Sequence, residues 1–148
     1  MKVLVVEDGY EYIDTLERFL GEGFSWTRAG SGPEALRLLD GGGFDAVLLD
    51  MRFDRVPEAD LLGDLAATAD RFNGDPVQAR HFLEDHQGNF ILAALRASGV
   101  GVPVLVSYDF EEEPRRWRHL ADTFGPVDYL PDNASPGDIA TRLRGLVG

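Results

Sequence analysis

Apolar residues along this chain fall into two repeating patterns. Short runs rich in β-branched and aliphatic residues, Lys2 to Val6, Phe24 to Arg28, Phe44 to Asp50, Val102 to Val106 and Val127 to Leu130, have the length and composition of strands. Between them, apolar residues recur at helical spacing: Ile13, Leu16 and Leu20; Leu36, Leu38 and Leu39; Phe90, Ile91, Ala94 and Leu95; Trp117, Leu120 and Phe124; Ile139, Leu143 and Leu146. The boundaries carry their own signals. Ser31-Gly-Pro-Glu34 and Ser135-Pro-Gly-Asp138 have the spacing of capping boxes, and Glu111-Glu-Glu-Pro114 places acids and a proline where a helix begins. Gly21 to Gly23, Gly41 to Gly43, Gly88 and Ser98-Gly99 mark the breaks. Ala46 to Leu49 is apolar at four successive positions, as a central strand covered on both faces requires. Five strands alternating with five helices predict an α/β fold: a doubly wound, five-stranded parallel sheet with right-handed crossovers, forming one domain over residues 1–148.

Residues 51–86 do not fit a connection of the usual 2 to 6 residues or so. Leu61, Leu62, Leu65, Ala69 and Phe72 share one side of a predicted helix, Asn73-Gly-Asp-Pro76 reads as a turn, and Val77 to Asp85 as a second, weaker helix. The expectation is a helical insertion after strand three, packed beside the sheet.

Composition narrows the function. An apolar share of 44% supports one core, while a net charge of -12 argues against direct binding to nucleic acid or to an anionic membrane. The absence of cysteine excludes disulfides and thiolate metal sites and agrees with a cytoplasmic location. No apolar run could span a bilayer. Lys2 is the only lysine, so every other fixed side-chain cation is an arginine.

Three predicted strands end in chemically useful groups: Glu7-Asp8, Asp50 and Ser107. In open α/β sheets that rim is where ligands bind. Carboxylates on adjacent strand ends can share a hard divalent cation, and a hydroxyl beside exposed N–H groups can hold a phosphoryl oxygen. In order, Val-Leu-Val-Val-Glu7-Asp8, Asp-Ala-Val-Leu-Leu-Asp50, Val-Pro-Val-Leu-Val-Ser107 and Asp128-Tyr129-Leu130 resemble the motifs of the receiver domain of bacterial response regulators. The resemblance implies a CheY-like sheet of order 2-1-3-4-5, with Asp50 as phosphoacceptor, Ser107 as phosphate-sensing hydroxyl and Tyr129 as switch aromatic. It further implies Mg²⁺ held by Asp8, Asp50 and the backbone carbonyl of Arg52, with Glu7 reaching it through water. The implied partners are a sensor histidine kinase or phosphotransfer protein and a downstream protein reading the last two helices and strand five, with a homodimer through those helices as a further expectation.

One position departs from the family. Receivers carry a lysine and then a proline shortly after the motif matched by Asp128-Tyr129-Leu130, and the aligned residues here are Asp132 and Asn133. The exchange makes the site more negative by roughly two charges. A unit pair at about 4 Å and an effective dielectric near 20 is worth about 4 kcal/mol, so binding of a phosphoryl dianion should weaken. Arg52, Arg55, Arg115, Arg116 and Arg118 are close in sequence to the site, but each is expected as a solvated surface charge. His81 and His86, five apart, do not share a helix face and are expected at the surface rather than on a metal. Trp117 is expected in the core. Two functions follow: a phosphoryl-accepting receiver in two-component or phosphorelay signalling, or an atypical receiver acting as a protein-interaction module without phosphorylation. A metal-dependent phosphatase with an aspartate nucleophile is disfavoured because Arg52 stands where its general acid would be, so the chain is not expected to be an enzyme.

Overall fold

Alternate residues of each central strand face opposite helical layers, and this alternation builds the fold. The computed structural model describes residues 1–131 and 133–148. Its strands are β1 (Lys2–Val6), β2 (Ser25–Ala29), β3 (Ala46–Asp50), β4 (Val104–Ser107) and β5 (Val127–Tyr129). All neighbouring pairs are parallel, in the order β2-β1-β3-β4-β5. The helices are α1 (Glu11–Phe19), α2 (Gly32–Asp40), α3 (Leu65–Arg71), α4 (Pro76–Asp85), α5 (Gln87–Ala97), α6 (Pro114–Phe124) and α7 (Pro136–Val147), with a 3-10 turn at Glu58–Asp60.

Val3, Val5, Ala46, Leu48 and Leu105 point to one face and pack with Ile13 and Leu16 of α1 and Ile139 and Leu143 of α7. Leu4, Val6, Val47, Leu49, Val104 and Val106 point to the other and meet Leu39 of α2, Ile91, Leu92 and Leu95 of α5 and Leu120 of α6. Burying one such side chain is worth about 1.5–3 kcal/mol, so the two layers supply the main drive to fold. Arg96 ties the second layer to the strand starts, donating to the carbonyls of Val100, Val102, Phe124 and Pro126.

The caps form where expected. Ser31 accepts from the Glu34 N–H, and Ser135 and Asp138 form the full reciprocal box. Several boundaries differ from the sequence expectation. Strand β2 is shifted by one residue, and β4 starts at Val104 because Pro103 precedes it. Gly88 lies inside α5 rather than before it. The helix expected from Leu61 begins only at Leu65: Gly63 turns the chain at φ +111° and Asp64 caps the helix by accepting from the Ala67 N–H. Leu61 and Leu62 are therefore not helical.

Instead, Leu62 is clamped to the body of the protein. Gln87, 1% exposed, accepts from the Leu62 N–H at 2.7 Å and donates to the Leu62 carbonyl at 3.0 Å and the Leu83 carbonyl at 3.1 Å. The Leu62 side chain fills the space over Gly32, where an added Cβ would stand 2.7 Å from it. The insertion thus packs on α5 and α2. Among the described residues, no helix is long and apolar enough to cross a membrane.

Gln87→Leu removes one donor and one acceptor from that clamp and leaves the Leu62 N–H and two carbonyls without their partners, at a cost of about 2 kcal/mol. Urea unfolding should show the loss as a lower midpoint, with early proteolysis confined to residues 52–86.

Candidate functional site

The rim at the C-terminal strand ends gathers Glu7, Asp8, Asp50 and Ser107, as the sequence implied. Glu7 closes β1 and is 1% exposed. Tyr10, at the N-cap of α1, makes no side-chain cap. The Glu7 carboxylate takes that part from outside the helix, accepting from Tyr12 N–H at 3.1 Å and Ile13 N–H at 2.8 Å. Burial pushes Glu7 above its ordinary range even against those two donors.

Asp8 is also engaged. Its Oδ2 accepts from the Asp54 and Arg55 N–H groups at 3.0 and 2.9 Å, fixing the segment that follows β3. Asp50 lies in register beside Ser107 on the next strand, and its Oδ1 accepts from Met51 N–H at 2.8 Å. Burial, joined by the charges of Asp8, Glu7 and Glu11, raises Asp50 to about 6 despite that donor. Ser107 Oγ shares a hydrogen bond with the Tyr12 hydroxyl. Burial and the charges of Asp50 and Glu7 push the Tyr12 phenol upward.

A hollow of about 460 Å³ opens beside Asp50, lined in part by Arg52, His86, Ser107, Tyr108 and Arg116. Two expectations change here. Arg116 is half-buried rather than solvated: its guanidinium lies 4.8 Å from the Tyr108 ring centroid and pairs with Glu113 at 3.3 Å, while Nη2 meets only the Met51 sulfur at 3.8 Å. His86 is half-buried as well, stacked on Phe82 with Nδ1 at 2.9 Å from the Phe82 carbonyl. His81, Arg52, Arg55, Arg115 and Arg118 are exposed as expected. Arg52 pairs with Asp54 and Asp85 and Arg55 with Glu11. Trp117 is half-buried, edge-on to Tyr129 at 4.8 Å, and Tyr129 also meets Phe110 at 5.5 Å. Asp132, at the position of the family lysine, lies outside the described residues. Lys2 stands at the far end of β1 with its ammonium over Phe44, and cannot replace that lysine.

Glu7 is not free to grip a Mg²⁺ ion directly, while Asp8 Oδ1 and Asp50 Oδ2 carry no hydrogen bond among the described residues. Both Glu7 oxygens and one oxygen of Asp8 are spent on main-chain N–H groups, and among the described residues no three His, Cys, Asp or Glu side chains converge to hold a metal. Tyr12, Tyr108 and Glu113 were not singled out from sequence. The available signal for Tyr12 was a polar-tipped aromatic in the first turn of α1, adjacent to the Ile13–Leu16–Leu20 stripe.

No family model and no curated protein matches the chain. Among solved structures it is similar to the receiver domain of the Francisella response regulator 1452, with a TM-score of 0.66, 20% identity, and coverage of 99% of this chain and 95% of that one. A CheY-like response regulator receiver domain protein from Methanospirillum hungatei JF-1 matches with a TM-score of 0.60 and 15% identity, over 99% and 92% of the two chains. The signal receiver domain of a histidine kinase from Syntrophus aciditrophicus matches with a TM-score of 0.63 and 17% identity, over 99% and 89%. The architecture is the fold of these receiver domains, and its sheet order is the one the resemblance implied.

Two outcomes follow from the rim. Asp50 is held above its unfolded value, so the stability it lends is complete below pH 4 and lost as pH rises through about 6. Asp50→Asn should therefore stabilise the chain by on the order of 1–2 kcal/mol at pH 7.5, after allowance for solvent screening, and by much less at pH 4; urea titrations at the two pH values measure this. Gly88→Ala would bring a methyl to 2.7 Å from the Asp50 carbonyl and 2.9 Å from Met51 Cα. Backbone on both sides leaves it no room, and a loss of about 1–3 kcal/mol with shifted Asp50 and Met51 amide resonances is expected.

Proposed function

We propose that this chain acts as an atypical receiver, a protein-interaction module whose partner surface on α6, β5 and α7 is set by internal bonds and not by a phosphoryl group on Asp50. One observation carries the reading: the groups that phosphoryl chemistry would use are already bonded within the protein. Glu7 caps α1, Asp8 holds the segment after β3, and Ser107 is paired with Tyr12. The charge balance supports it. Asp50 faces Asp8 and Glu7 with the sole lysine at the opposite end of β1, and its raised pKa reflects its burial first and those like charges second, although Arg55 stands 4.0 Å from Asp8.

A second reading, phosphoryl transfer to Asp50 from a sensor kinase or phosphotransfer protein with Mg²⁺, is favoured by the open hollow that Asp50 and Ser107 share with Arg116. Under either reading the downstream partner is a protein, or a second copy of this chain, docking on the last two helices and β5.

The two readings separate in one titration. With acetyl phosphate or beryllofluoride and Mg²⁺, the atypical reading expects no change in tryptophan emission or in the Asp50 and Ser107 amide resonances. A saturable change that Asp50→Asn abolishes would establish the second reading in its place.

A further inference from the structure

The insertion carries a hollow of its own. It measures about 640 Å³ and opens between the segment after β3 and α4; it shares Arg52 and Asp85, paired at 3.2 Å, with the hollow beside Asp50. Its two sides are tied together, since Phe53 N–H donates to the Glu84 carbonyl at 2.9 Å and Asp8 fixes the Asp54 and Arg55 N–H groups. Four carboxylates line it, Asp54, Glu58, Glu84 and Asp85, against the guanidiniums of Arg52 and Arg80. Arg52 is taken by Asp54 and Asp85. Glu84 differs from the other three acids. Its side chain is 9% exposed, and among the described residues its carboxylate meets the Arg80 guanidinium alone, with Nε 3.7 Å from Oε2 and so too far to donate. A carboxylate so placed has given up most of its water and gained no donor in return. Beside it Val77 is 61% exposed, an apolar surface next to a negative one.

We propose that this hollow is a docking site for a basic segment of a partner protein, in which an arginine guanidinium reaches the Glu84 carboxylate while its aliphatic stem lies on Val77. The chemistry of the lining selects that occupant. A guanidinium presents several N–H donors in a planar fork that matches a carboxylate, and it sheds water more readily than an ammonium. Its stem covers apolar surface while the head stays with the charge. A divalent cation is not matched, because among the described residues no three His, Cys, Asp or Glu side chains converge to hold one. The net charge of -12 favours the approach of a basic partner over an acidic one. The inference is independent of the reading above, because the hollow belongs to the insertion and is lined by neither Asp50 nor Ser107.

The probe is a short end-blocked peptide of glycine, leucine and arginine, and its control is the same peptide with citrulline, which keeps the shape of arginine and loses the charge. Titrated into the full isotope-labelled chain, the arginine peptide should shift the amide resonances of Asp54, Glu58 and residues 77–85 saturably. The citrulline peptide should bind about tenfold more weakly, and Glu84→Gln should weaken the arginine peptide by a similar factor, as loss of a charge-assisted hydrogen bond predicts. Val77→Ser, at an exposed position where folding is not at stake, should weaken it about threefold through lost apolar contact. Equal affinity for the two peptides, or equal affinity of the unsubstituted chain and both variants, would overturn the proposal. Shifts scattered over the acidic surface instead of confined to the hollow would do the same. Sedimentation of the chain alone adds a last arm: a dimer that Glu84→Gln disperses would give the hollow to a second copy and overturn the separate partner.

Discussion

The bond pair between the Glu7 carboxylate and the first-turn N–H groups of α1 is the constraint on which the rim depends. A helix start leaves several N–H groups without partners, and Tyr10 offers no side-chain cap. The carboxylate at the end of β1 meets that need and ties the start of α1 to the strand. Tyr12 is then carried over the ends of β3 and β4. A buried carboxylate is costly, and two directed N–H donors with the helix dipole behind them offset only part of that cost, since burial still raises Glu7. Glu7 is thus a structural acceptor first.

The same logic extends outward. Asp8 spends one oxygen on two N–H groups of the segment after β3, Asp50 spends one on Met51, and Ser107 is taken by Tyr12. In this chain each of these groups already holds a partner within the protein.

Most of the fold was legible because its signals are local. Four consecutive apolar residues before Asp50, two capping boxes and the glycine breaks at 21–23 and 41–43 mark strands and helices, and the resemblance of the ordered strand-end motifs implied the sheet order. Boundaries failed where a long-range contact outweighed periodicity. Leu61 and Leu62 continue a helical stripe on paper, but Gln87, 25 residues on, bonds both backbone groups of Leu62, which lies outside the helix. The site was legible as a list and not as a set of partnerships. Glu7, Asp8, Asp50 and Ser107 come together, but no spacing rule reveals that a tyrosine 95 residues before Ser107 reaches it. Arg116 and His86 were assigned to solvent because single residues in polar stretches carry no sign of the rings on which they lie.

The two ends of the insertion meet. Gly88 N–H donates to the Met51 carbonyl at 2.9 Å, so the chain leaves the sheet after Asp50 and returns to within one hydrogen bond of its departure point. The excursion behaves as a lobe on a closed stem: its length can change without pulling the strand ends apart, since the entropy of closing a loop grows only with the logarithm of its length. The narrow neck, rather than the helices beyond it, is what keeps the sheet indifferent to the lobe, and a Cβ at Gly88 is what it cannot accommodate.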